Sequence, residues 1–170
     1  MESKEILDFI CRRRSVRRYQ KKAIPDEVLE VLMKAAMAAP SGNNAQPWEF
    51  VIVRDPKIKE DLSRIHSWVY MAAEAPVAIV VLGDKSSEWW EDDCAAATEN
   101  LLLAAANLGL GAVWCGIKED QARAVRKILG VSGNMGVLCI IPMGFPAESP
   151  PPDTKYRKNK VHRDTYGQKF

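Results

Sequence analysis

The stretch "RRRSVRRY", residues 12–19, sets five arginines into seven positions around Ser15 and Val16. Guanidinium groups at that density can hold an anion through forked hydrogen bonds, and a serine hydroxyl among them adds another contact. The same run also fits a solvated helix end or a nucleic-acid patch, so the rest of the chain has to decide. A second polar group, Ser41, Asn43, Asn44 and Gln46 in "PSGNNAQP", offers hydroxyl and amide groups that both donate and accept. Read as local structure alone, it is a turn between a helix and a strand.

The remaining inventory narrows the chemistry. The two histidines, His66 and His162, are far apart, and Cys11, Cys94, Cys115 and Cys139 show no paired spacing, so no zinc pattern is present. No G-x-S-x-G elbow or G-x-x-x-x-G-K-[ST] loop occurs, which removes support for a serine hydrolase or a nucleoside-triphosphate enzyme. The glycines of "LGLG", residues 108–111, close a helix and precede a strand, the reverse of a dinucleotide fingerprint. An enzyme with this inventory borrows its reactivity from an organic cofactor. An anionic one such as flavin mononucleotide (FMN) would use the arginines for its phosphate and the amides for its ribityl chain and ring edges.

The elements that position these groups follow from periodicity. Ile6, Phe9 and Ile10 after Ser3 as N-cap predict a first helix that ends at the arginine run. Pro25, Asp26 and Glu27 open a second helix over 25–39, stopped by Pro40. "WEFVIV" reads as a strand, and Ile58, Leu62, Ile65 and Val69 as one face of a helix carrying His66 near its middle. "VAIVVLG", "AVWCGI" and "GVLCIIPMG" read as buried strands, separated by helices over 91–108, capped at Gly109, and 119–129, ending at Gly130.

Composition bounds the rest. A chain of 170 residues fits one domain over 1–170, with 147–170 a Pro-rich, then basic tail that needs a surface to pack on. The 24 Lys and Arg are nearly balanced by 22 Asp and Glu, with acids concentrated in "EWWEDD", which argues against a nucleic-acid partner. The cysteines lie in apolar or helical segments, as buried free thiols do, and point to a reducing, cytoplasmic compartment. The N-terminus has acids where a secretory signal has bases, and no apolar run approaches the roughly 18 residues of a membrane span.

"RRRSVRRY", "AAPSGNNAQPWEFVIV", "NLLLAAANLGLGAVWCG" and the late "MGFP", in this order, resemble the FMN-dependent nitroreductases over nearly the whole chain. The resemblance implies an α+β nitroreductase-like fold, a central mixed sheet wrapped by helices, built as an intertwined homodimer with FMN at the interface. It implies that Arg13 and Ser15, with Arg14 beside them, contact the phosphate and ribityl chain, and that Arg17 sits near the N1 and O2 edge of the flavin. Arg12 and Arg18 remain surface charges. Pro40, Ser41, Gly42, Asn44 and Gln46 come from the partner subunit, with Asn43 a less certain contact. Trp114, Cys115 and Gly116 pass along the flavin, cysteine standing where many relatives carry an acid. Arg157 is the best match to a late basic residue on the phosphate, with Lys155 and Lys160 as alternatives.

The implied activity is ping-pong hydride transfer from NADH or NADPH through flavin N5 to a nitroaromatic, quinone or similar small aromatic acceptor, with no catalytic side chain required. Trp89 and Trp90 either line that pocket or pack in the fold. The rival readings are a non-catalytic FMN-binding or flavin-storage protein and a specialised dehalogenating, desaturating or flavin-fragmenting enzyme, for which no lid insertion is evident.

Overall fold

A computed structural model describes residues 3–151 and 155–170. Helix α1 (Ser3–Arg12) leads into an extended arginine segment and α2 (Asp26–Met37) follows, its first turn carrying Asp26 and Glu27 at the positive end of the helix dipole. Then come β1 (Trp48–Val53), α3 (Pro56–Ser63), β2 (Val77–Asp84), α4 (Trp90–Asn107), β3 (Gly111–Ala112), β4 (Cys115–Gly116), α5 (Glu119–Leu129) and β5 (Met135–Gly144). The order of helices and strands is the one expected from periodicity. Ser3 is itself the first helical residue, so the position before it lies outside the described residues, as do 152–154 of the tail.

The described strands form one sheet in the order β1, β2, β5, β3, with β4 also pairing to β5, and each of these ladders is antiparallel. Outside these antiparallel ladders, an isolated parallel bridge joins Ser15 to Ala112. β2 is buried along its length because alternate side chains enter two different cores. Ile79 and Val81 join Leu29, Leu32, Leu101 and Ile141 beneath α2 and α4. Val80 and Leu82 join Leu62, Val69, Val125 and Ile140 beneath α3 and α5. A strand between two helical layers cannot alternate apolar with polar residues, which is why "VAIVVLG" is continuously apolar.

Three local expectations differ from the structure. Residues 58–69 do not form one helix: α3 ends at Ser63, His66 is extended (φ −158°, ψ 157°), and Ser67–Ala72 form a 3₁₀ turn. "AVWCGI" is two short strands, with Val113 and Trp114 between them. Cys11 is exposed while the other three thiols are buried, because it sits on the outer side of α1 beside the exposed Ile6, Leu7 and Ile10. None of the described helices is long and apolar enough to cross a membrane.

Candidate functional site

Backbone pairing holds the arginine run at both ends, to Ala112 near Ser15 and Val16 and to Pro146 and Ala147 near Arg18 and Tyr19. After Arg12 the chain extends alongside β3, where Ser15 bridges Ala112 and the Val16 N–H donates to the Ala112 carbonyl at 3.0 Å. Val16 is driven inward, 6% exposed, and lies so close to Gly111 that a Cβ there would come within 2.6 Å of it. Extended alternation then turns Ser15 and Arg17 away from Val16. Arg13 stands 3.6 Å from Glu99 of α4 and is four-fifths buried, its side chain 19% exposed. Arg14 donates to the carbonyls of Cys11 (2.6 Å), Arg13 (2.8 Å) and Pro151 (3.0 Å). The amides of Arg17 and Arg18 share Glu148 Oε1, and both side chains are exposed.

Arg13, Arg14 and Lys155 line a cavity of about 420 Å³ together with Cys11, Glu99 and Tyr156. The tail therefore brings Lys155 to the arginines. Arg157 is exposed and donates to the Tyr156 carbonyl at 3.1 Å, and Lys160 lies in a short 3₁₀ turn beyond it.

The polar turn at 41–46 is strained. Asn43, Asn44 and Gln46 have φ of 51°, 55° and 47°, a left-handed backbone that asparagine tolerates and that glutamine adopts at a cost of roughly 1–3 kcal/mol. Ser41 Oγ accepts the Gln46 N–H at 3.0 Å, and Gln46 Nε2 donates to Asn44 Oδ1 at 3.1 Å. The Gly42 N–H donates to Asp93 Oδ1 at 2.9 Å. Trp89 covers Gly42, whose absent Cβ would lie 2.7 Å from the indole Cδ1. Pro40 is exposed at the start of the turn. Gly42, Asn43, Trp89 and the β2–α4 connection line a cavity of about 370 Å³ that shares no residue with the arginine cavity.

Residues 114–116 hug β5. Cys115 is 2% exposed, its Sγ donates to the Trp68 carbonyl at 3.2 Å, and burial pushes the thiol up to about 11 against the opposing charge of Arg17. A thiol held neutral is not a nucleophile at ordinary pH. Gly116 is exposed, and among the described residues the atom nearest its missing Cβ is Trp114 Nε1 at 3.9 Å, ordinary contact distance. Tyr19 anchors the same rim: its hydroxyl lies 2.6 Å from the Val16 carbonyl and 3.0 Å from that of Pro142, and burial keeps the phenol well above its usual range.

Sequence reading missed two contributors. Trp68 Nε1 donates to the Gly116 carbonyl at 3.1 Å and His66 stacks on the indole with planes 28° apart, leaving Tyr70 exposed beside them. The available clue was the succession Ser67, Trp68, Val69, Tyr70, all poor helix formers. Asp93 is the other: within "EWWEDD" nothing distinguishes the buried acid from its exposed neighbours Glu91 and Asp92. The tryptophan pair divides, Trp90 lying against Gly83 and Gly136 as a packing residue and Trp89 half-exposed over the turn.

Known proteins resemble this chain over most of its length. The model of the nitroreductase family matches residues 10–70 and 65–145. A protein of Methanothermobacter thermautotrophicus, provisionally named NADH dehydrogenase/NAD(P)H nitroreductase, is 36% identical over 168 residues, covering 95% of this chain and 88% of its own. An iodotyrosine deiodinase of Thermotoga neapolitana is 31% identical over 183 residues, covering 93% and 96%. An FMN-dependent nitroreductase of Clostridium difficile R20291 superimposes with a TM-score of 0.89 at 29% identity, over 94% of this chain and 99% of that one. Sequence and backbone are both followed nearly end to end, and the chain belongs to the nitroreductase family.

Proposed function

We propose that this chain is an FMN-dependent NAD(P)H oxidoreductase of a single domain, acting as an intertwined homodimer on flat, electron-poor acceptors such as nitroaromatics or quinones. The observation that carries the reading is the Ser15–Ala112 bridge with the Val16–Ala112 hydrogen bond, which sets the arginine run beside residues 114–116. The charge of exposed Arg17 opposes the burial that raises the Cys115 thiol.

The residues present suit FMN. Arg13, Arg14 and Ser15 offer fixed donors for a phosphate and ribityl chain, with Lys155 or Arg157 closing that end from the tail. Gly116 leaves open surface, and Trp114 and Cys115 carry the backbone past it. Arg17 supplies a positive charge at the far edge, suited to hold negative charge that develops there. Bound FMN supplies two-electron hydride chemistry between a nicotinamide and the acceptor. Cys115 contributes its backbone alone.

The turn bearing Pro40, Ser41, Gly42, Asn44 and Gln46 opens onto a cavity separate from the arginines, which favours its service to a second subunit. The exposed Ile6, Leu7 and Ile10 on α1 and the outer edge of β1 are surfaces that such a partner, with its tail, would cover. The three buried free thiols suit a cytoplasmic setting. A deiodinase-like specialisation is the second reading, favoured by the 31% identity to the Thermotoga neapolitana iodotyrosine deiodinase.

The test is an anaerobic visible spectrum of the purified protein before and after NADH or NADPH, with chromatography of the released cofactor. Released FMN and bleaching by reductant support the oxidoreductase. A yellow protein that stays oxidised supports flavin storage, and failure to take up FMN overturns the reading.

A further inference from the structure

The turn at 41–46 carries left-handed backbone at three positions, and the hydrogen bond that ties it to another element among the described residues is made to Asp93. Its Oδ1 accepts the Gly42 N–H at 2.9 Å from the first turn of α4, 51 residues along the chain. The residue is 5% exposed, and Oδ2 has no hydrogen-bond partner among the described residues. A hydroxyl would satisfy the Gly42 amide without leaving a second buried polar atom over. A carboxylate makes the stronger, charge-assisted bond. Trp89 closes the other side of Gly42.

From this geometry we infer that Asp93 is a positioning residue: through the Gly42 amide it locks the turn at 41–46 into the shape that its donors and acceptors need for the flavin. The inference rests on the reading of that turn as a flavin contact. Gly42 is the fixed point. The left-handed residues Asn43 and Asn44 follow immediately and Gln46 two residues later, so a release at Gly42 frees the turn to change shape and moves the side-chain amides of Asn44 and Gln46. The position of Asp93 in α4 also links the turn to Arg13, because the same helix carries Glu99, 3.6 Å from that arginine.

Two measurements separate this role from general stability. Hydrogen exchange in the native protein needs no flavin: the Gly42 amide is expected to exchange at least about 10-fold more slowly in the wild type than in Asp93→Ala, with the rest of α4 little changed. Fluorescence titration of the apoprotein with FMN is expected to show a dissociation constant raised about 10-fold or more in Asp93→Ala. In Asp93→Asn, which keeps an oxygen for Gly42, both values should return to within about threefold of the wild type. A wild-type Gly42 amide that exchanges like an open loop overturns the inference, even if Asp93→Ala fails to fold. So does an alanine variant that binds FMN normally, or an asparagine variant as impaired as the alanine one. A wild type that binds no FMN defeats the flavin reading instead, and the exchange rates alone then decide whether Asp93 anchors the turn.

Discussion

Trp68 donates its indole N–H to the carbonyl of Gly116, 48 residues further on, at 3.1 Å. The reciprocal contact runs from the Cys115 thiol to the Trp68 carbonyl at 3.2 Å, so the 3₁₀ turn and the rim of the candidate site are tied together twice. Trp68→Phe keeps the ring and removes the donor. It is expected to cost about 1 kcal/mol, read as a lower urea midpoint at unchanged slope. Trp68→Ala also frees His66 from its stack and should cost more.

Trp90 fills the space above Gly83 and Gly136, next to the register shift between Val81 and Leu82. Any side chain at Gly136 collides with the indole. Gly136→Ala is expected to lower stability by roughly 1–3 kcal/mol through overpacking, and combination with Trp90→Phe should recover part of the loss. Additive costs in thermal unfolding of the double variant would contradict the contact.

The buried thiols make stability fall in alkali. Burial pushes Cys115 up to about 11 and Cys94 to about 12, from an ordinary value of 9.0, and raises Cys139 as well. A group whose folded pKa is raised stabilises fully below its unfolded value and loses that contribution as pH climbs through the folded one. For Cys115 the window is pH 9 to about 11, and its share is roughly 2–3 kcal/mol. Cys115→Ser keeps a donor for Trp68 but does not titrate there, so its melting temperature should decline less steeply over that range.

The arginines should separate by position. Arg13→Ala and Arg17→Ala are each expected to weaken FMN retention about 10-fold or more, whereas Arg18→Ala should change it little. Equal retention by all three after gel filtration would defeat the assignment of the run.

Parts of this architecture were open to reading because their causes are local. Continuous apolar character marked β2, which needs apolar side chains on both faces, and Gly130 marked the end of α5 with φ 66°, where glycine carries no penalty. The helix before Pro40 stopped because the residue preceding proline avoids helical geometry. The four segments shared with the nitroreductases lie along the chain in family order, which made the family legible. What failed was the helix over 58–69: its spacing was right for one face, yet His66 is extended and Trp68 turns instead toward Gly116.

Residue types and short-range spacing thus settled most of the helices and strands, the segment 64–72 excepted, and which residues carry donors for an anion. The folded chain settled who meets whom. Ser15 with Ala112, Trp68 with Gly116 and Gly42 with Asp93 are pairs separated by some fifty residues or more. No periodicity encodes them. Each depends on how two helical layers close over one sheet, since burial is gained by the whole core together and only then fixes which polar group is left facing which.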